Sequence, residues 1–237
     1  MGSPVRIERA GRTLCLTLAR PEAANALDEA SHRALVAALS AAVTDAGVGA
    51  VVLRADGDRS FCAGVDLKEF AELAPAEASE RRRELLRQTL LALIDCDKPV
   101  IAVARGAAIG AGCMVAMLAD QVIAGEQARF SLPEVRIGIP TPVAISVVAG
   151  RHGSKLASSL VLSARVLDAR DALHAGVVDA VVAGDALDAA AIERAGTLGG
   201  FDSNAFRATK RWANRSLHCA VAAAFDEAAA LARVGST

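Results

Sequence analysis

One carboxylate stands out by its setting. Glu134 lies in FSLPEVRIGIP, a Pro-led turn among apolar neighbours, at the end of a glycine-punctuated stretch running from Ala104 to Pro140. Upstream, the stretch turns through Gly106, Gly110 and Gly112 and continues as a short apolar helix around Met114. A carboxylate with few polar neighbours is pushed toward its neutral form and gains the pKa of a useful base. Glycines ahead of a helix leave unpaired backbone N–H groups and the positive end of the helix dipole facing outward, where negative charge is welcome. Together these features make the stretch a candidate active-site wall. The plain alternative for Glu134 is an acid that satisfies backbone amides within its own turn.

The composition excludes other chemistries. Tyr is absent, so no mechanism can use a tyrosyl hydroxyl. The four His residues, at 32, 152, 174 and 218, share no i, i+4 spacing, and no dedicated metal site is expected. The glycines after the strand fit neither GxGxxG nor a phosphate loop ending in GK[ST], and no GxSxG elbow is present. Cys15, Cys62, Cys96, Cys113 and Cys219 are odd in number and form no CxxC, which points to reduced, mostly buried thiols in a cytoplasmic protein. A net charge of -1, from 26 basic and 27 acidic residues, gives no overall field for nucleic acid or an anionic membrane. The N-terminus has no apolar signal core, and no apolar run is long enough to span a bilayer.

The elements that must position Glu134 alternate between short strands and helices, which defines an α/β chain. Val5 to Glu8 and Arg12 to Leu18 read as a strand pair, and Asp28 is placed to cap a helix from Glu29 to Ala46. AVVLR at 50–54 is a buried strand, followed by a polar loop and a helix starting at Asp66. Pro75 to Asp95 is a long helix whose RRRELLR run reads as a solvated face, with Leu85, Leu86, Leu90 and Leu93 inward. The strand Pro99 to Ala104 and the helix around Met114 repeat the strand, loop and helix pattern. QVIAG is a further strand, joined by a loop to Glu134. Helices then follow at Val143 to Ala149, His152 to Leu162 and Ala169 to Ala175, the last capped by Asp168. Val177 to Val182 is the closing strand, and beyond Gly184 the chain reads as Ala-rich helix, with no linker marking an independent domain.

Four segments, SFCAGVDLKEF, AAIGAGCMVAMLAD, FSLPEVRIGI and GSKLASSLVLSARVLDARDALHAGVVDAVV, resemble in order and spacing the crotonase, or enoyl-CoA hydratase/isomerase, family. RPEAANAL adds an N-terminal match, so the resemblance covers the chain up to about Val182. It implies a spiral of ββα units over 1–183 and a helical, trimer-forming region over 184–237, assembled as a homotrimer or a dimer of trimers. It also implies an acyl-CoA thioester substrate, no cofactor beyond the coenzyme A of that substrate, and two backbone amides that hold an enolate oxyanion. By position those amides belong to Val65 and Ala111.

The family's hydratases use two glutamates. Here Met114 stands at the first position and Glu134 at the second, which disfavours hydration by paired carboxylates. A single carboxylate can still move a proton between carbons, so the expected reaction converts 3-enoyl-CoA to 2-enoyl-CoA. Hydration or other enolate chemistry is the alternative, and a non-catalytic acyl-CoA-binding protein is the second alternative. Ala24 and Ala26 match the segment that wraps the adenine in relatives. By the same resemblance Ala63, Asp66, Leu67, Lys68 and Met114 are expected to contact the acyl-CoA, although Asp66 also looks structural and Lys68 also suits an exposed helix. Lys210 and Arg211, in ATKRWANR, are candidates for phosphate contact; the Lys/Arg-rich extension that often follows is not expected here.

Overall fold

The computed structural model describes residues 2–234. The N-terminal strand pair is a hairpin of β1 (Val5–Ala10) and β2 (Thr13–Leu18). Asp28 caps helix α1 (Glu29–Thr44) by accepting the Ser31 N–H, and Leu35, Ala38, Leu39 and Ala42 form its buried stripe.

From there one unit repeats: a strand enters a large sheet, a three-residue strand enters a small sheet, and a helix returns. The first unit is β3 (Ala50–Ala55), β4 (Ser60–Cys62) and α2 (Pro75–Asp95). The second is β5 (Val100–Ala104), β6 (Ala107–Ile109) and α3 (Ala111–Leu118). The third is β7 (Gln121–Gly125), β8 (Arg129–Ser131) and α4 (Pro142–His152). Next come α5 (Ser154–Ala157), a wide π turn over 158–162, β9 (Val166–Asp168), α6 (Ala169–His174) and β10 (Ala180–Val182). Helices α7 (Leu187–Gly199) and α8 (Ser203–Val234) end the described chain. The large sheet has the order β1-β2-β3-β5-β7-β10, parallel from β2 onward. The small sheet, β4-β6-β8-β9, is parallel except for β9. This is a crotonase-type spiral of ββα units with a helical C-terminal region.

The parallel strands are buried on both faces, which is why they read as unbroken apolar runs. On β3, Val51 and Leu53 join the main core with α1 to α4, while Val52 turns to the other face and packs with Cys15, Ile101, Ile123 and Leu187 beneath α7. Helix α8 rests on α2 and α4, and places Leu217, Val221, Ala224 and Phe225 in the main core. No described helix is long and apolar enough to cross a membrane.

The structure corrects the sequence reading of two stretches. The small sheet replaces what reads as long loops; its strands are too short to show an alternating pattern. No helix starts at Asp66: residues 66–74 form bends and turns, held by the Asp66 carboxylate accepting the Lys68 N–H and by the Phe70 side chain packing beside α2 with Ala78 and Leu85. The Arg-rich face of α2 lies at the surface as expected, with Leu85, Leu90 and Leu93 inward; its Arg81 and Arg87 pair with Glu29 and Asp226. The expectation about a basic extension falls beyond residue 234, outside the described residues.

Candidate active site

Strands β4, β6 and β8 are parallel neighbours, so their C-terminal ends lie along one edge of the small sheet. Each end delivers one group: Ala63-Gly64-Val65 follows β4, Gly110-Ala111 follows β6, and Leu132-Pro133-Glu134 follows β8. Adjacent strands lie about 4.8 Å apart, which sets the scale of the arrangement.

Two glycines report how closely these groups approach. A methyl placed on Gly64 would lie 3.5 Å from the Ala111 nitrogen and 3.1 Å from the Ile109 carbonyl oxygen. One placed on Gly110 would lie 3.0 Å from Glu134 Oε1. Both sit at positive φ, +99° and +55°, which L side chains seldom adopt. The Ala111 N–H opens α3, and neither it nor the Val65 N–H has a hydrogen-bond partner among the described residues. Val65 departs from expectation because it opens no helix. It lies instead in a short parallel bridge with Leu27, whose N–H donates to Gly64 O at 2.8 Å and whose carbonyl accepts the Asp66 N–H at 2.8 Å.

Glu134 begins a single 3-10 turn, Glu134–Ile137, and is half-buried. Its Oε2 is buried without a hydrogen-bond partner among the described residues. Burial holds its pKa above the usual carboxylate value, offset in part by its own backbone N–H. Cys113 responds to the same environment: burial, and then the charge of Glu134, push its thiol up. Met114 follows Cys113 on the fully buried α3 and is itself 3% exposed; its N–H closes the first helical turn on Gly110 O at 3.0 Å. A thioether at this position supplies apolar surface and no proton.

The RPEAANAL segment forms the other side. Ala24 and Asn25 are left-handed, with φ of 51° and 55°, in a turn fixed by Asn25 N–H to Arg20 O at 2.8 Å and Arg20 N–H to Asn25 Oδ1 at 3.0 Å. The Ala24 carbonyl accepts the Ala63 N–H at 3.1 Å, and with the Leu27 bridge this runs residues 24–27 beside residues 63–66 along one seam. Leu67 is 59% exposed and Lys68 is exposed without an ion-pair partner among the described residues, on the turns that follow Val65. Asp66 has its carboxylate engaged by Arg20 at 2.9 Å and by the Lys68 N–H. Burial raises its pKa, but Arg20 and the backbone donors outweigh that and hold it below the usual range.

Lys210 does not reach for a ligand: it is buried, donating to the Lys98 carbonyl and the Asp120 carboxylate, and Asp120 in turn accepts the Val100 N–H. Arg211 is exposed but paired with Asp97. Both were legible as cations; the acids that claim them, about 90 and 114 residues away, were not. Arg20, at the head of RPEAANAL, is paired with Asp28 and Asp66 beside this turn, partners that the sequence did not indicate.

The comparisons with known proteins agree in extent with this geometry. The model of the enoyl-CoA hydratase/isomerase family matches residues 8–233. The chain belongs to that family. It is 38% identical over 222 residues to the 2,3-dehydroadipyl-CoA hydratase of Escherichia coli strain K12, covering 93% of this chain and 86% of that protein. The short-chain-enoyl-CoA hydratase of Clostridium acetobutylicum is 32% identical, over 95% of this chain and 87% of its own length. Among solved structures, an enoyl-CoA hydratase/isomerase from Xanthobacter autotrophicus Py2 superposes with a TM-score of 0.85 at 33% identity, over 98% of this chain and 86% of that one.

Proposed function

We propose that this enzyme acts on acyl-CoA thioesters and moves the double bond of a 3-enoyl-CoA to give a 2-enoyl-CoA. The thioester oxygen accepts hydrogen bonds from Val65 N–H and Ala111 N–H. Glu134 removes a proton from the α carbon; the C–H electron pair becomes a dienolate whose oxygen charge rests on the two amides. The same carboxyl returns the proton at the γ carbon, and the double bond ends between α and β. The observation that carries this reading is the Glu134 carboxylate, with one oxygen against Gly110 and the other buried without a partner among the described residues, in a wall where Met114 fills the place of a second acid. Ala24, Ala26, Ala63, Leu67 and Lys68 line the path of the coenzyme A, with Asp66 holding that loop. The chemistry uses only groups of the chain, and coenzyme A enters as part of the substrate. We place the enzyme in the cytoplasm as a homotrimer or dimer of trimers built through the region 184–237, with no nucleic-acid or membrane partner.

Glu134→Gln tests the assignment. Turnover should fall about 10²–10⁴-fold, since the proposed base is gone, while the acyl-CoA dissociation constant changes little. A variant that keeps full activity would refute it. A second reading, addition of water to a 2-enoyl-CoA, has one observation in its favour: both relatives described above carry hydratase names.

A further inference from the structure

The Val65 amide has no helix to aim it, so something else must. Its peptide is held by the two-bond bridge to Leu27, and Leu27 belongs to a loop that has just left a left-handed turn. A bridge of one residue on each side fixes a direction only if both sides are themselves fixed.

The Arg20 guanidinium gathers both sides. It donates to the Ala26 carbonyl at 2.7 Å and to Asp66 Oδ2 at 2.9 Å, and its Nε lies 3.2 Å from Asp28 Oδ2. Ala26 and Asp28 flank Leu27, and Asp66 follows Val65, so the three acceptors bracket the bridge. The side chains of Arg20, Asp28 and Asp66 are only 22%, 18% and 13% exposed. A planar, five-donor cation can serve three acceptors at fixed angles; a lysine, as a point charge, cannot. Without the cation, Asp28 and Asp66 would face each other as like charges across the seam.

We propose that Arg20 is a positioning residue for the first oxyanion amide, an inference that rests on the proposed use of Val65 N–H. Arg20 touches no reacting atom; it fixes where the Val65 donor points.

The test uses butyryl-CoA labelled with ¹³C at the thioester carbon, a probe that resembles substrate but has no double bond to move. Difference infrared spectroscopy reads the bound carbonyl stretch, and kinetics on 3-enoyl-CoA read kcat and KM. In the unmodified protein the band shifts to lower frequency on binding, because the amides polarise the carbonyl. In Arg20→Met part of that shift disappears, since the Ala111 donor remains; kcat falls about 30-fold, short of the 10²–10³ for losing a donor outright, and KM changes less than about threefold. Arg20→Lys recovers only part of both. An Arg20→Met protein that keeps the full band shift overturns the inference, whether or not its kcat falls, since a purely structural residue would leave polarisation intact in the folded fraction. If Arg20→Met does not fold, Asp66→Asn, which keeps the shape and weakens one arm of the clamp, must show a smaller shift of the same sign; an unchanged band refutes the clamp. If the unmodified protein itself shows no shift, the oxyanion reading of Val65 and Ala111 fails and this inference falls with it.

Discussion

Replacing Gly64 by alanine places one methyl in the gap that the site depends on. The added carbon would stand 3.5 Å from the Ala111 nitrogen, in the space proposed for the thioester oxygen, and 3.1 Å from the Ile109 carbonyl, tighter than an ordinary contact. Losing one oxyanion donor costs about 3 kcal/mol of barrier, which predicts a fall in kcat of about 10²–10³. The backbone adds a separate cost, because a φ of +99° is strained for alanine by about 2 kcal/mol. For a chain of this size that strain lowers Tm by about 4–8 °C. Gly153→Ala separates the two effects: its φ is +90°, with nothing within 4 Å of the new methyl, so it carries the strain without the obstruction. The assay is double-bond migration per folded molecule, with Tm measured on both variants. Gly153→Ala should lose stability and keep turnover; Gly64→Ala should lose both. A folded Gly64→Ala protein within threefold of unmodified turnover would refute the placement of the oxyanion.

Other outcomes follow from the same structure. Met114→Glu introduces a second acid on the buried α3, and should add water addition to 2-enoyl-CoA while lowering stability by about 2 kcal/mol or more; a stable variant with no hydration would show that the glutamate alone does not define that activity. Because burial raises the Glu134 pKa, the native state holds that proton more tightly than the unfolded chain, and stability falls as pH rises from the ordinary glutamate value through the raised one. Glu134→Gln should therefore gain on the unmodified protein in denaturant titrations at neutral pH and match it in acid. His32 works in the opposite sense. It is buried between α1 and α2 with Nδ1 2.7 Å from Thr89 Oγ1, and desolvation, against the charges of Asp28 and Glu29, lowers its pKa from 6.5 to about 4. The unfolded chain binds that proton first, so stability is lost as pH falls from 6.5 toward 4, by at most about 3 kcal/mol, and His32→Gln should flatten the profile. Lys210→Met strands the Asp120 carboxylate and should cost about 3 kcal/mol by thermal unfolding, with KM for acyl-CoA unchanged; a raised KM would return Lys210 to the ligand.

What the sequence disclosed depended on how local the cause was. Glu134 stood out because Pro133 and the apolar residues around it are local in sequence, although its burial is not: Val135, Ile137 and Ile139 are exposed, and its Oε1 lies against Gly110. The pairing of Asp28 with α1 and of Asp168 with α6 was legible because it too is local. The large-sheet strands announced themselves by apolar runs, whereas β4, β6, β8 and β9, at three residues each, carry too little pattern to be seen and are defined only by each other. That is why Val65 was expected at a helix start: its real support, the bridge to Leu27, joins segments 38 residues apart (65 minus 27). The fate of Lys210 and the clamp around Arg20 were hidden likewise, since charge partners distant in the chain leave no periodic trace.

The central claim, one base and no second acid, is tested most directly by giving the purified protein matched 3-enoyl-CoA and 2-enoyl-CoA substrates and following double-bond migration and water addition separately. The account predicts migration without hydration, lost in Glu134→Gln. Robust hydration by the unmodified protein would contradict it, and would mean that another group does the work of the acid that Met114 replaces.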